Sequence, residues 1–149
     1  MKRTFLATVL SIVFAMVAVA CHSSDEKEIG YAELPVQAQQ FVKQYFPSAT
    51  YSHVEKEKDH GKWEYEVLLS DGTKIDFNNK GEWKSVDYKY STLPAGIIPD
   101  AIAADIAQRY PSQQPYKIEK ETGGYEIDIP GFDLYYSSNG KFIRAEIDR

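Results

Sequence analysis

From residue 34 onward the chain is written twice, and no other feature constrains its fold as strongly. Leu34-Pro35 matches Ile98-Pro99, Tyr45-Phe46-Pro47 matches Arg109-Tyr110-Pro111, and Val54-Glu55-Lys56-Glu57 matches Ile118-Glu119-Lys120-Glu121, all at an offset of 64 residues. Tyr65-Glu66-Val67 then matches Tyr125-Glu126-Ile127 at offset 60. Ile75-Asp76-Phe77 matches Leu134-Tyr135-Tyr136, and Gly81-Glu82-Trp83 matches Gly140-Lys141-Phe142, both at offset 59. The offset changes only between the periodic segments, where loops tolerate insertion and deletion.

Each copy (34–90 and 91–149) reads as one helix followed by about four strands. Pro35 suits a first helical turn, Val42, Tyr45 and Phe46 recur at helical spacing, and Pro47 ends the run. The second helix opens at Pro99-Asp100, spaces Ile102 and Ile106 by four, and ends at Pro111. Downstream, Trp63, Tyr65, Val67 and Leu69 alternate with Glu64 and Glu66, and Tyr125, Ile127 and Ile129 alternate with Glu126 and Asp128. A period of two is the signature of half-buried antiparallel strands. Asp71-Gly72 and Pro130-Gly131 supply turns after those strands. The expected class is α+β: a tandem repeat of a helix and about four antiparallel strands, the helices packed on one face of a curved sheet. Units this small bury too little alone, so residues 34–149 are expected to form one domain.

The N-terminus carries an address. Lys2 and Arg3 precede an uncharged, mostly apolar run from Phe5 to Ala20 that ends in Ala18-Val19-Ala20, the arrangement of a secretory signal peptide over residues 1–20. Its 16 residues fall short of the roughly 20 needed for a membrane span. Cys21, the only cysteine, stands just after the cleavage site and resembles the lipidated cysteine of bacterial lipoproteins, although Ala18 occupies the position usually held by leucine. A lone thiol in an oxidising compartment also favours lipidation. Residues 21–33, beginning His22-Ser23-Ser24-Asp25-Glu26, read as a polar tether, and Ser-Asp-Glu there resembles a surface-export signal. The expected location is the periplasm or outer membrane, with the cell surface as a further option. Loss of Lys2 and Arg3 with the leader takes the formal net charge from −5 to −7, which argues against nucleic acid as a partner.

The twice-written order of Leu/Ile-Pro, helix, Phe-Pro or Tyr-Pro, alternating strand, Gly-containing turn and Gly-x-aromatic hairpin covers residues 34–147. Behind a lipoprotein-like leader, it resembles the PepSY-like, beta-lactamase-inhibitor-like proteins exported by bacteria. That resemblance implies tandem helix-plus-sheet units forming a curved sheet, and no established enzymatic activity. The inhibitor that lends the family its name grips a protein through the concave side of such a sheet. Its disulfide-forming cysteines are missing here, so the resemblance extends to the fold and not to the target.

Little in the sequence points to chemistry. The single cysteine lies at the leader junction, no Gly-x-Ser-x-Gly elbow occurs, and Thr122-Gly123-Gly124-Tyr125 lacks the further glycines and lysine of a phosphate loop. His53 and His60 have no third ligand at a metal-binding spacing, so neither a metal nor a cofactor is expected. Asp76, Asn78, Gly81 and Asp87 fall on positions 1, 3, 6 and 12 of a calcium loop. Position 5 is Lys80, however, the flanks alternate like strands, and the matching stretch around Gly140 keeps the glycine while losing the acids. A hairpin turn is the expectation. The carboxylates Glu64 and Glu66, or Glu126 and Asp128, line strand faces two apart. They read as the wet side of the sheet, with a hydrolase using Glu66 or Glu126 as the remote alternative.

Aromatic side chains are the stronger lead, because an open sheet face bearing them can grip a polypeptide or a glycan. Tyr135, Phe142 and Trp83 are the candidate partner-binding residues, with Glu66 and Glu126 beside them. Trp83 depends on its turn. A four-residue loop over Asn78–Gly81 sends it to the open face, and a three-residue loop with a left-handed Gly81 pairs it with Phe77 in the core. Burial of roughly 200 Å² at about 25 cal/mol/Å² favours the core. The expected function is a non-catalytic exported module that recognises a protein or peptide of the cell envelope through its open sheet face. A glycan- or small-ligand-binding, or structural, envelope lipoprotein is the alternative.

Overall fold

Pro35 and Pro99 each stand immediately before a ten-residue helix, with φ of −52° and −54°. A pre-set φ and a missing N–H cost nothing at that position. The structure, a computed structural model, describes residues 26–89 and 91–148; the expected signal peptide and Cys21 lie outside the described residues. The chain runs β1 (Lys27–Glu28), one turn of 3₁₀ helix (Tyr31–Glu33), α1 (Val36–Tyr45), β2 (Tyr51–Asp59), β3 (Lys62–Leu69), β4 (Lys74–Phe77) and β5 (Trp83–Asp87). It continues through α2 (Asp100–Arg109), β6 (Lys117–Glu121), β7 (Gly124–Ile129), β8 (Phe132–Ser137) and β9 (Phe142–Ile147). None of the described helices is long and apolar enough to cross a membrane.

The expected α+β fold of tandem helix-plus-sheet units needs correction. Among the described residues all nine strands belong to one open antiparallel sheet in sequential order, β1 to β9, so the described part is mostly β with two short α-helices. The joint that decides this is β5 against β6, where Ser85 faces Glu119, Val86 faces Ile118 and Asp87 faces Lys117. Matching segments in a sequence carry no information about edge pairing. Two half-sheets and one continuous sheet are written with the same alternation, and only the free β5 edge meeting β6 separates them. The segment assigned to a polar tether is also partly packed. Lys27 and Glu28 pair with Lys56 and Glu55, the Ile29 N–H donates to the Val54 carbonyl, and the Ile29 side chain is buried.

Alternation places one apolar row across the sheet. Val54, Val67, Ile75, Val86, Ile118, Ile127, Leu134 and Ala145 are successive cross-strand neighbours, and all but Ala145 at the edge are buried. Both helices cover this face. From α1, Ala38 and Val42 are buried, and Phe41 lies edge-on to Phe77 and tilted against Trp83. From α2, Ile102 and Ile106 are buried, and Asp105 accepts a 2.8 Å hydrogen bond from the Tyr136 hydroxyl. Among the described residues no helix covers the opposite face of the sheet, and that face carries the polar half of the strands.

Candidate functional site

The turn at DFNNKGEWKSVD resolves the position of Trp83. The Gly81 N–H donates to the Asn78 carbonyl, the Asn78 N–H donates to the Glu82 carbonyl, and Gly81 adopts φ +83°. The Asn78 side-chain oxygen accepts from the Lys80 and Glu82 N–H groups. This three-residue loop sets Trp83 opposite Phe77, on the helix side. There Trp83 is half-buried, with the Lys120 ammonium 3.9 Å from its ring centroid. Phe142 occupies the same side, opposite Tyr136 and capped by the Arg109 guanidinium at 4.2 Å. Neither Trp83 nor Phe142 belongs to the open face: Trp83 takes the core-side position that burial favours, and the expectation that Phe142 and Trp83 would line a partner site on the open face is corrected. The cause is the register: each follows a glycine turn whose length returns the aromatic residue to the core side.

The other three candidates do come together. Glu66, Glu126 and Tyr135 lie in one transverse row of the open face, in which Glu28, Glu55, Glu66, Asp76, Ser85, Glu119, Glu126, Tyr135 and Arg144 are successive cross-strand neighbours. Six of those nine positions are carboxylates. A neighbouring row runs Lys74, Asp87, Lys117, Asp128, Asp133 and Glu146. Adjacent cross-strand side chains on one face stand about 4.5–5.5 Å apart, so like charges in these rows repel unless a cation intervenes.

Three lysines intervene. Lys74 Nζ lies 2.6 Å from Glu66, and that hydrogen bond raises the Lys74 pKa despite partial burial. Lys84 Nζ lies 2.6 Å from Glu64; burial works against its charge, and Glu64 together with Asp76 and Asp59 outweighs it, raising the pKa. Lys117 Nζ sits 3.3 Å from Asp128, 3.6 Å from Glu119 and 3.8 Å from Glu126, and these carboxylates overcome burial to raise its pKa. At the β9 edge Arg144 stacks 3.7 Å over the Tyr135 ring and pairs with Glu146 at 2.7 Å. Burial, followed by the Glu126 contact, raises the Tyr135 pKa. A shallow depression of about 220 Å³ lies between Glu64, Glu66, Lys74, Asp76 and Lys84.

Asp128 departs from the expected wet side of β7. Only 8 % of it is exposed, its Oδ1 has no hydrogen-bond partner, and burial pushes its pKa up to about 6 against the pull of Lys117. The period-two pattern gave its face correctly. Its burial depends on Lys117 and Asp133 from the strands on either side, which no local pattern exposes.

Chemically, this surface is a lattice of fixed carboxylates cross-linked by lysines. Glu66 and Glu126, the residues named for a possible hydrolase, are both engaged by lysine side chains. Among the described residues, no group of three or more His, Cys, Asp or Glu side chains converges closely enough to hold a metal ion.

The sequence profile of the PepSY-like, beta-lactamase-inhibitor-like family matches residues 63–144, more than half of the chain. This protein belongs to that family. Three solved structures are similar along almost their whole length. One, from Bacteroides thetaiotaomicron, is described as a candidate calcium-regulated periplasmic protein. It is 32 % identical, with a TM-score of 0.78, and the match covers 82 % of this chain and 97 % of that one. Another, described as a candidate periplasmic protein of Bacteroides vulgatus, is also 32 % identical, with a TM-score of 0.79 and coverage of 83 % and 98 %. A second from Bacteroides vulgatus, described as a candidate periplasmic protein of unknown function, is 29 % identical, with a TM-score of 0.78 and coverage of 81 % and 98 %. No curated protein matches the chain. The periplasmic descriptions support export of this family member, and none of the three indicates catalysis.

Proposed function

We propose that this protein is a non-catalytic binding module of the cell envelope that takes a cationic polypeptide on the open face of its sheet. The observation that carries the reading is the transverse row of six carboxylates, Glu28, Glu55, Glu66, Asp76, Glu119 and Glu126, with Tyr135 at one end. Fixed anions in register along a rigid sheet pair with lysine and arginine side chains of an extended segment, and the field of such a face speeds encounter. Lys74, Lys84 and Lys117 hold the carboxylates apart and give the face an internal pattern a partner must match. Residues 1–20 act as the export signal in this reading. Cys21 carries the lipid that joins the domain to a membrane, with the residues before Lys27 as the tether.

Fluorescence anisotropy with a labelled lysine- and arginine-rich peptide tests the reading, beside an acidic peptide of equal length. Binding of the basic peptide is expected to weaken with added salt and to fall about tenfold in Glu66→Gln/Glu126→Gln. Equal binding of both peptides, or no effect of the double variant, would sink it. Calcium belongs in the same titration, because a similar protein of Bacteroides thetaiotaomicron is described as calcium-regulated. On this chain a divalent ion is expected to compete with the peptide for the carboxylate rows.

A further inference from the structure

The two edges of the sheet differ. At one edge β2 is covered by β1, by the Ile29 N–H, which donates to the Val54 carbonyl, and by Tyr31 of the 3₁₀ turn, stacked on Tyr51. At the other, β9 pairs only with β8, and among the described residues nothing covers its outer side. Sheet edges are commonly protected by charged side chains, proline, a β-bulge or shortening of the strand. Over its six residues, Phe-Ile-Arg-Ala-Glu-Ile, β9 carries no proline, and its two charges, Arg144 and Glu146, are of opposite sign and can pair across a two-fold axis. It leaves Ile143 57 % and Ile147 72 % exposed.

The Asp148 N–H donates inward to the Gly131 carbonyl, so by the alternation of an antiparallel ladder the N–H and C=O groups of Ile147 and Ala145 point outward. From this edge we infer that β9 pairs antiparallel with β9 of a second copy of this chain, about a two-fold axis at Ala145. The strand is complementary to itself in that register and in no neighbouring one. With Ala145 opposite Ala145 of the second copy, Arg144 faces Glu146 and Glu146 faces Arg144, so the two charge pairs close symmetrically. A shift of the axis to Arg144 or to Glu146 sets like charges against each other on the axis. The irregularity of the β8–β9 ladder at Ile143 confines regular pairing to the stretch from Arg144 onward, which suits a weak, concentration-dependent dimer. The two-fold axis stands perpendicular to the sheet, so both open faces look to the same side and the carboxylate rows continue from one copy into the next.

Cysteine cross-linking in the full chain carrying Cys21→Ser, purified in mild detergent, reads the register directly. Hydrogen-bonded antiparallel pairs stand about 5.5 Å apart at Cα, within the roughly 4.4–6.8 Å a disulfide spans. Ala145→Cys is therefore expected to give a covalent dimer under mild oxidation, and Glu57→Cys, on β2 at the opposite side of the sheet from β9, is not. Adding Arg144→Glu to Ala145→Cys brings like charges together twice and is expected to slow cross-linking about tenfold. Adding Glu146→Arg as well restores it, because the swapped pair is again complementary. Equal cross-linking at residues 57 and 145, or a monomeric mass in sedimentation equilibrium at all concentrations up to the millimolar range, overturns the inference. So does failure of the charge swap to rescue, which would assign the edge to a different partner strand. None of these readouts involves the cationic peptide, so the dimer and the proposed binding function fail independently.

Discussion

Replacing Asp128 by asparagine isolates the energetic cost of the most buried carboxylate of the open face. Asp128 is 8 % exposed, its Oδ1 lacks a partner, and the nearest cation, Lys117 Nζ, lies 3.3 Å from its Oδ2. Burial raises its pKa from the ordinary 3.8 to about 6. A carboxyl whose pKa is higher folded than unfolded binds protons more tightly in the native state. Stability is therefore unaffected below about 3.8, falls as pH rises toward 6, and stays low above it. At about 1.36 kcal/mol per pH unit, the rise corresponds to a cost of about 3 kcal/mol at neutral pH, a large part of the 5–15 kcal/mol that usually holds a domain together. Asparagine keeps the shape and removes the titration. Any packing change, and any change in the Lys117 contact that does not titrate, contributes equally at all pH values. The informative quantity is the difference between two pH values, expected at about 2–3 kcal/mol in favour of Asp128→Asn on going from pH 4 to pH 8. Urea unfolding measures it through tryptophan fluorescence, since Trp83 leaves its contact with Phe41 on unfolding. Curves displaced by the same amount at both pH values would refute the reasoning. They would mean that Lys117 or solvent already satisfies the charge.

Other substitutions follow from the same geometry. Gly81→Ala is expected to cost about 2–4 kcal/mol, because φ is +83° and a Cβ would lie 2.7 Å from Pro35 Cβ and 2.9 Å from the Ala38 nitrogen. Gly61→Ala shares the positive φ but meets nothing within 4 Å, so about 1 kcal/mol is expected; equal losses in thermal unfolding would refute the steric part. Tyr136→Phe removes the 2.8 Å bond to Asp105 and is expected to cost about 1–2 kcal/mol. Arg109 and then Tyr136 hold the Asp105 pKa below its ordinary value, so this loss is largest at neutral pH and shrinks as pH falls through the folded pKa. A loss independent of pH would show that the hydroxyl matters only for packing.

Much of the local structure is legible in the sequence. The prolines at 35, 47, 99 and 111 bracket the helices, and the alternation along β3 and β7 assigns the face of each side chain. The competition between two loop lengths at Gly81 was already framed, with burial of Trp83 favouring the shorter loop that the Phe77–Trp83 pairing displays. Of the candidate site, Tyr135, Glu66 and Glu126 were placed on the open face by that alternation. Phe142 sits on the helix side instead, because the length of the turn before it, which aromatic character does not reveal, sets its register.

What the sequence determined by itself is everything with a local cause: where proline and glycine permit a helix or turn, and which side of a strand a residue occupies. These depend on steric limits within a few residues and on a period of two. Tertiary structure alone decided that β5 joins β6 into one nine-stranded sheet, that six carboxylates align across it, and that Lys117 stands between the acids that raise its pKa. Each of these depends on hydrogen bonding between strands distant along the chain, which fixes who stands beside whom. A residue's face is a property of its own strand, whereas its neighbours belong to the sheet. The charge of Asp128 is therefore written in the sequence, and the cost of that charge is set only when β6 and β8 close around it.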